Sequence, residues 1–404
     1  MKSQKLATYL RNGLIYLVLT GFALIMLFPF FFMFFTSFKE PRDTFRYPPR
    51  LLPRAVEMTS VSGMEGEFPL YEVDFEGETR QFALIESSIR IGIFVDPAQP
   101  DTPLEIPLSQ TSPRGGFVDQ EVVVIDGEER PLFDVEIAGE TVTLAQLSQT
   151  ARGRFVDPDN PAHEVMQNVR LSTPIESLTA HPQNYRDVVE LQGLDRSLTN
   201  TILVTLLVVV GTLTTSVLGG YAFARMRFPG RDNLFVLYLG TIMIPFVVLV
   251  TPMYQFMVAI GWVDRIVSLI LPWIFSAYGT FLMRQFFITI PKEIEEAALI
   301  DGASRLQILW RIFLPASTPA LATLTTFVFL YAWNSFFWPL VVINTGNTAN
   351  HVLTLSLNVL RGRAADSPNL ILAGAAIAIL PPMIIFILGQ RFFVESATAS
   401  GVKG

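Results

Sequence analysis

Cysteine is absent from the 404 residues, which excludes both a disulfide framework and a thiolate metal site. There are only three histidines, His163, His181 and His351, far apart in sequence, so no histidine metal cluster is expected. Charge is also scarce. Asp, Glu, Lys and Arg make up 16% of the chain, where a soluble domain carries about 25%. No Gly-x-x-x-x-Gly-Lys-Ser/Thr run occurs, so the chain has no phosphate loop with which to hydrolyse ATP. No Ser/His/Asp or paired-carboxylate arrangement stands out in the apolar part, and the expectation is a non-enzyme without cofactor. Lysine is missing from Arg54 to Glu176, a stretch with 23 acids and 8 arginines, leaving 13 acids and 21 bases for the rest of the chain. An acidic soluble region argues against nucleic-acid binding.

What the chain has instead is apolar residues, 50% of the total, gathered in uninterrupted blocks. A bilayer core about 30 Å thick needs roughly 20 such residues per helix. Six spans are expected: Leu14–Phe35, Thr201–Ala224, Leu234–Val250, Ile266–Phe287, Ile312–Trp333 and Leu370–Leu388. The first follows Lys2, Lys5 and Arg11, as a signal peptide would. It is too long for one, ends in bulky Phe and offers no small-residue cleavage site, so it reads as a retained helix. Pro245 lies inside the third span, where neighbouring helices can satisfy the freed carbonyl. Basic residues collect on one side: Arg225, Arg227, Arg231, Lys292, Arg305, Arg311, Arg391 and Lys403 join the N-terminal three. Lys39, Arg42, Arg46 and Arg50 break the rule locally, yet the asymmetry places both termini in the cytoplasm.

The acidic insert then faces outward. Its runs alternate between turn residues, as in Glu121–Ile125 before Asp126-Gly127 and Val135–Thr143 around Gly139, so the spacing predicts a small, mostly β domain. Leu108-Ser-Gln-Thr111 before Phe117-Val-Asp119 is echoed by Leu147-Ser-Gln-Thr150 before Phe155-Val-Asp157, and more weakly by Ile93-Phe-Val-Asp96. Two similar hairpins would explain the echo, and so would a duplicated docking surface. The acids at Glu72, Asp74, Glu76 and Glu78 lack calcium-loop spacing and read as a solvated strand face.

After the fourth span comes a polar segment, Glu293-Ile-Glu-Glu296-Ala297-Ala298-Leu-Ile-Asp301-Gly302-Ala303, continuing to Ile312-Phe-Leu314-Pro315. It should form a helix starting after Pro291, with acids in the first turn complementing the helix dipole. Gly302 would permit a sharp turn. The small residues Ala297, Ala298 and Gly302 would let the helix lie deep in a partner's groove, although an ordinary interfacial helix would fit equally well.

The pattern Glu296-Ala297-Ala298, three residues, Gly302, nine residues, Ile312, one residue, Leu314-Pro315 resembles the EAA signature of type I ABC importer permeases at every defining position. In that family the segment is the coupling helix that enters a cleft on the ATP-hydrolysing subunit. The resemblance therefore implies an ATPase-coupling set of Glu296, Ala297, Ala298, Asp301, Gly302, Ala303, Leu314 and Pro315. Asn184-Tyr185, Asn200-Thr-Ile, Tyr221-Ala-Phe-Ala-Arg225, Phe228-Pro-Gly230, Ile290-Pro-Lys292, Ala332-Trp-Asn334 and Gly401–Gly404 further resemble the maltose-type carbohydrate permeases. Likeness covers about 1–53 and 177–404. The insert departs from the family's short loop, and Ser335 stands where an acid is usual.

The expected fold is thus an all-α polytopic membrane protein with six transmembrane helices and an inserted mostly-β extracytoplasmic domain. Residues 1–53 carry the first span, 54–176 the insert, and 177–404 the permease core, with its type I transmembrane domain about 196–391. The implied partners are a cytoplasmic ATP-binding subunit dimer, a second permease, an extracytoplasmic solute-binding protein and the lipid bilayer of the bacterial inner membrane. The implied function is import of a di- or oligosaccharide. Alternatives are a permease for another solute such as glycerol phosphate, or a membrane-anchored sensor using its external domain. An ion-driven transporter would need paired intramembrane acids, which the six spans lack. Asn334, polar within an apolar run, either bonds a neighbouring helix or lines a water-filled path. Gly211, Gly219 and Gly220 favour close helix packing.

Overall fold

A computed structural model describes residues 2–116, 120–125, 127–137 and 140–401. The chain divides into a membrane unit, Met1–Pro53 with Ala180–Gly404, and an inserted unit, Arg54–Thr179.

Among the described residues the inserted unit is β apart from one short 3-10 turn. Alternation along β1 (Phe68–Phe75) and β2 (Glu78–Asp96) puts Val73, Phe82 and Phe94 inside, at most 1% exposed, and leaves Glu72 and Asp74 outside. The sheet continues through β3 (Gln99–Pro107), β4 (Thr111–Pro113), β5 (Val122–Ile125), β6 (Glu128–Ile137) and β7 (Glu140–Val156), every described pairing being antiparallel. Ile125 pairs with Glu128, and Gly127, just before Glu128, takes φ 82°. Asp126 and Gly139 lie outside the described residues. The echoed sequences are not a structural repeat. Leu108–Gln110 is a 3-10 turn with Thr111 opening β4, whereas Leu147–Thr150 lies within β7, paired to β2. Cross-strand pairing overrides the local likeness. Phe117–Asp119 lie outside the described residues.

In the membrane unit, α1 (Lys2–Thr36) is followed after the insert by α2 (Gln183–Gln192) and α3 (Leu194–Arg225). Next come α4 (Arg231–Gly240), α5 (Phe246–Ala259), α6 (Ala277–Thr289) and α7 (Lys292–Ile300). The chain ends through α8 (Thr318–Trp333), α9 (Phe337–Val342), α10 (Leu353–Arg363) and α11 (Pro368–Gly401). Among the described residues, five helices are long and apolar enough to cross a membrane, or up to six spans if one bent pair counts as one. That pair corrects the expected third span. The helix does not run through Pro245: Arg231–Met243 and Phe246–Ala259 meet at 98°. Pro245 lacks the N–H that would continue the ladder and sits extended as the N-cap of α5. The fourth span likewise opens with 3-10 turns at Ile266–Leu269 and Leu271–Trp273 before α6. The fifth starts at Thr318 rather than Ile312, because the preceding Leu309–Phe313 forms a π-turn. Pro315 has no N–H for the Arg311 carbonyl, and a π-bulge accommodates such a missing rung.

Family-like residues hold these helices together. Asn184, buried, donates from Nδ2 to the Ser37 and Lys39 carbonyls, at 2.8 and 2.9 Å, and accepts from Asn369. Asn200 Nδ2 donates to the Ala349 and His351 carbonyls, and Trp333 Nε1 to the Ala378 carbonyl. Lys39, one of the cations breaking the charge rule, is buried. Its ammonium donates to the Arg50 carbonyl and lies 5.6 Å from the Phe32 ring centroid. Burial pushes its pKa below the ordinary lysine value, and Asp43 pulls it part of the way back.

Candidate functional site

The segment with the coupling pattern folds as two capped turns. α7 begins after Pro291, with Glu293 and Glu295 in its first turn where the N-terminal dipole favours acids. It ends in a Schellman motif: Gly302 N–H donates to the Leu299 carbonyl at 3.1 Å and Ala303 N–H to the Ala298 carbonyl at 2.9 Å. The motif needs a left-handed residue just past the helix, and Gly302 takes φ 83°. Ser304 then opens the next turn through a capping box with Gln307. The glycine at this spacing is therefore a helix stop, and the serine two residues on restarts the chain towards the membrane.

Exposure sorts the expected coupling residues into two groups. Glu296, Ala297, Asp301, Gly302 and Pro315 are exposed, while Ala298, Ala303 and Leu314 are half-buried. The latter three pack against a core that includes Tyr221, Phe287 and Phe313. Ala298 thus packs part of its surface onto its own chain and leaves the rest open. Around the exposed set stand exposed apolar side chains, among them Ile300, 86% exposed. A lone exposed apolar residue means little, but Leu299 and Leu306 are also exposed and extend the patch.

The acid that anchors the segment is the neighbour of the expected one. Glu295, not Glu296, is buried, with its carboxylate 3.6 Å from Arg225 Nη1 and bonded to Arg305 Nη1. Tyr221 OH reaches the same carboxylate at 3.5 Å. Arg225 also donates from Nη2 to the Phe287 carbonyl, at 2.6 Å, and to the Ile290 carbonyl, and its guanidinium lies 5.0 Å from the Phe313 ring centroid. One arginine at the end of α3 therefore ties together the end of α6, the start of α7 and the π-turn. Nothing in the sequence points to Glu295, and Arg225 and Arg305 stand out there only as cations on one side of the spans, with Arg225 also in a family-like run. The available signal was Arg225 directly after an apolar run, since a cation buried there requires a counter-charge.

Asn334 caps the C-terminus of α8, exposed, and its Nδ2 donates to the Leu330 carbonyl of its own helix at 2.8 Å. It makes no described bond to another helix. The glycines of α3 do mark a close contact with α6: a Cβ on Gly219 would come 3.1 Å from Thr280 Cγ2, and one on Gly220 2.7 Å from Met283 Cβ. Gly211 meets Ile274 in the turn leading to α6.

Residues 216–398 match the family described as binding-protein-dependent transport system inner membrane component. The match runs from α3 into α11, so it contains the capped segment and excludes the insert. The sn-glycerol-3-phosphate transport system permease protein UgpE of Pectobacterium atrosepticum is 36% identical over 203 residues, 50% of this chain and 72% of that protein. The arabinooligosaccharides transport system permease protein AraQ of Halalkalibacterium halodurans is 36% identical over 205 residues, 51% of this chain and 73% of that protein. Among solved structures, a bacterial ABC transporter involved in the import of the acidic polysaccharide alginate covers 55% of this chain and 81% of its own, at 26% identity and TM-score 0.47. On the permease relatives and the family match together, the chain belongs to the binding-protein-dependent transport system inner membrane components, as a multi-pass type I ABC importer permease that serves as a transport subunit and not as an enzyme.

Proposed function

We propose that this chain forms half of the translocation pathway of an ATP-driven sugar importer and that α7 with Gly302 is the element that docks on the ATPase. The single observation carrying the docking role is the exposed face of a rigidly capped helix, Glu296, Ala297, Ile300 and Asp301, on a segment tied to three others through Arg225. In this reading six spans cross the bilayer, the bent α4–α5 pair counting as one, and both termini are cytoplasmic. The partners are an ATP-binding subunit dimer, a second permease and an external binding protein. The relative named for arabinooligosaccharides supports the sugar assignment. The domain limits proposed from sequence, 54–176 for the insert, stand beside a structural unit of Arg54–Thr179.

Gly302→Leu tests the docking role. A Cβ there meets nothing within 4 Å in this chain, so the substitution brings no internal clash. Its cost is left-handed strain, about 1–2 kcal/mol, confined to an exposed turn. The expected result is normal membrane abundance with loss of ATPase co-purification and of sugar-stimulated ATP hydrolysis in the reconstituted complex. Wild-type stimulation would remove the docking assignment. Orientation has its own check. A reporter enzyme active only outside the cytoplasm should work when fused after Pro107 and be silent after Pro229. The opposite pattern would invert the topology.

A further inference from the structure

The inserted unit holds a pocket outside the matched family region, which begins at residue 216. Thr150 and Arg152 of β7, Gln167 of β8 (Glu164–Gln167), and Asn168, Leu171 and Ser172 of the following turn line it. Its volume is about 380 Å³, within the range of roughly 300–1,000 Å³ for small-molecule sites. Strand pairing builds it. Gln167 stands opposite Gly153 at the end of the β7–β8 ladder, and the turn then comes back against β7. A Cβ on Gly153 would overlap the Val169 side chain and stand 2.7 Å from Leu84 Cδ1, so glycine permits the approach. Val169 packs against the core of Tyr71, Phe82 and Phe155, which anchors the turn.

The polar groups of the lining are fixed but only partly used. Asn168 Oδ1 accepts from the Arg170 N–H at 3.0 Å, which leaves its Nδ2 unspent among the described bonds. Ser172 Oγ donates to the Asn168 carbonyl at 3.0 Å and so accepts from Gln167 Nε2, at 2.9 Å. Gln167 Oε1 therefore remains an open acceptor. Thr150 Oγ1 makes no described hydrogen bond and can donate or accept. Arg152 is committed, donating to the Met166 carbonyl at 3.2 Å and pairing with Glu105. An anion would thus meet a guanidinium already neutralised, in a region with 23 acids against 8 arginines. A cation would find no carboxylate among the lining residues. Neighbouring hydroxyls of a carbohydrate each donate and accept, which matches this mixed and uncharged set. The C–H face of such a ring has the Leu171 side chain to lie on, 85% exposed at the turn.

We propose that this pocket binds a neutral oligosaccharide through Thr150, Gln167 and Asn168, giving the inserted unit a carbohydrate site of its own. The proposal rests on the sugar-importer reading for the presence of such a ligand outside the cytoplasm, whereas the lining selects the chemical class by itself. The test uses the full-length chain in lipid nanodiscs, free of glycoside detergents that would compete. It is titrated calorimetrically with arabinotriose, maltotriose and xylotriose, and with sn-glycerol 3-phosphate. Thr150→Val removes the hydroxyl and keeps a residue suited to a strand. Asn168→Asp keeps Oδ1 for the turn and removes the donor. Each is expected to weaken the best-bound trisaccharide about three- to tenfold, the size of one lost hydrogen bond. Thr79→Val, exposed on β2 and outside the pocket, should leave affinity unchanged. Binding of none of the three sugars, or binding that both pocket variants leave untouched, overturns the site. So does sn-glycerol 3-phosphate binding more tightly than every trisaccharide, which would make the pocket an anion site around Arg152. The importer reading is tested apart, by uptake of the same compounds into proteoliposomes holding the complete complex. Uptake of glycerol phosphate but of no sugar, with pocket-dependent trisaccharide binding intact, overturns that reading and leaves the pocket standing.

Discussion

Glu295→Ala is expected to destabilise the membrane unit by about 3–5 kcal/mol, the range for removing one partner of a buried ion pair. The side chains of Arg225 and Glu295 are 4% and 8% exposed, so removing the carboxylate leaves a largely buried guanidinium without its counter-charge. Arg225 would keep two carbonyl acceptors, at Phe287 and Ile290, and the Phe313 ring. These place the outcome at the low end of the range. Arg305, half exposed, should be indifferent to the change. The thermal midpoint of the purified protein is the measurement, with Glu296→Ala as comparator. That residue is exposed, so its removal should shift stability by no more than about 0.5 kcal/mol, with any effect appearing in ATPase docking instead. Adding Arg225→Met to Glu295→Ala should recover part of the loss, since the uncompensated charge goes too. Equal midpoints for the Glu295 and Glu296 variants would mean that the carboxylate–arginine contact does not anchor the docking helix.

The spans were legible because bilayer thickness demands long apolar runs, and nothing else in the chain has that composition. Their interruptions were not. Pro245 in an apolar run is compatible with a kink or with a full break. The outcome depends on what lies beside it, here an exposed stretch at 241–245 and the aromatic contacts of Phe246. Hydropathy sums over a window and carries no direction, so it cannot register a 98° bend. The inserted unit shows the same limit. Identical Leu-Ser-Gln-Thr segments became a 3-10 turn leading into β4 and a mid-strand stretch paired with β2, and nothing within the four residues distinguishes the two outcomes.

The capped segment around Gly302 was legible in part, for a related reason. Gly302 acts locally through a cap built from residues within a few positions, so spacing discloses its turn, whereas the equally local capping box of Ser304 with Gln307 emerged only in the structure. Glu295 acts through Arg225 on another helix, and nothing in its neighbourhood distinguishes it from Glu293 or Glu296. Burial of a charge is a property of the packed structure. Among the described residues the exposed Glu296 makes no hydrogen bond or ion pair, which fits the docking role proposed for it.

Gly220→Val should cost at least about 2 kcal/mol through overpacking, because what it strikes cannot move aside. A Cβ at Gly220 would stand 2.7 Å from Met283 Cβ and 3.0 Å from the Arg284 backbone nitrogen. Met283 is fully buried, and the Arg284 nitrogen belongs to α6 itself, so relief requires the two helices to separate. Separation would stretch the bonds from Arg225, one turn further along α3, to the Phe287 and Ile290 carbonyls. The damage should therefore reach α7 and weaken ATPase co-purification as well as lowering the thermal midpoint. Gly219 offers a graded control, since its Cβ would meet only the Thr280 side chain, at 3.1 Å, and that rotamer can yield. Gly21 offers the opposite sign. A Cβ there meets nothing within 4 Å, and alanine should gain a few tenths to about 1 kcal/mol from helix propensity. The expected order of thermal midpoints is Gly21→Ala at or above wild type, then Gly219→Ala, then Gly220→Val. Were Gly220→Val to melt with the wild type, α3 and α6 would not be packed at this distance, and the support that Arg225 gives the docking helix would lose its geometric basis.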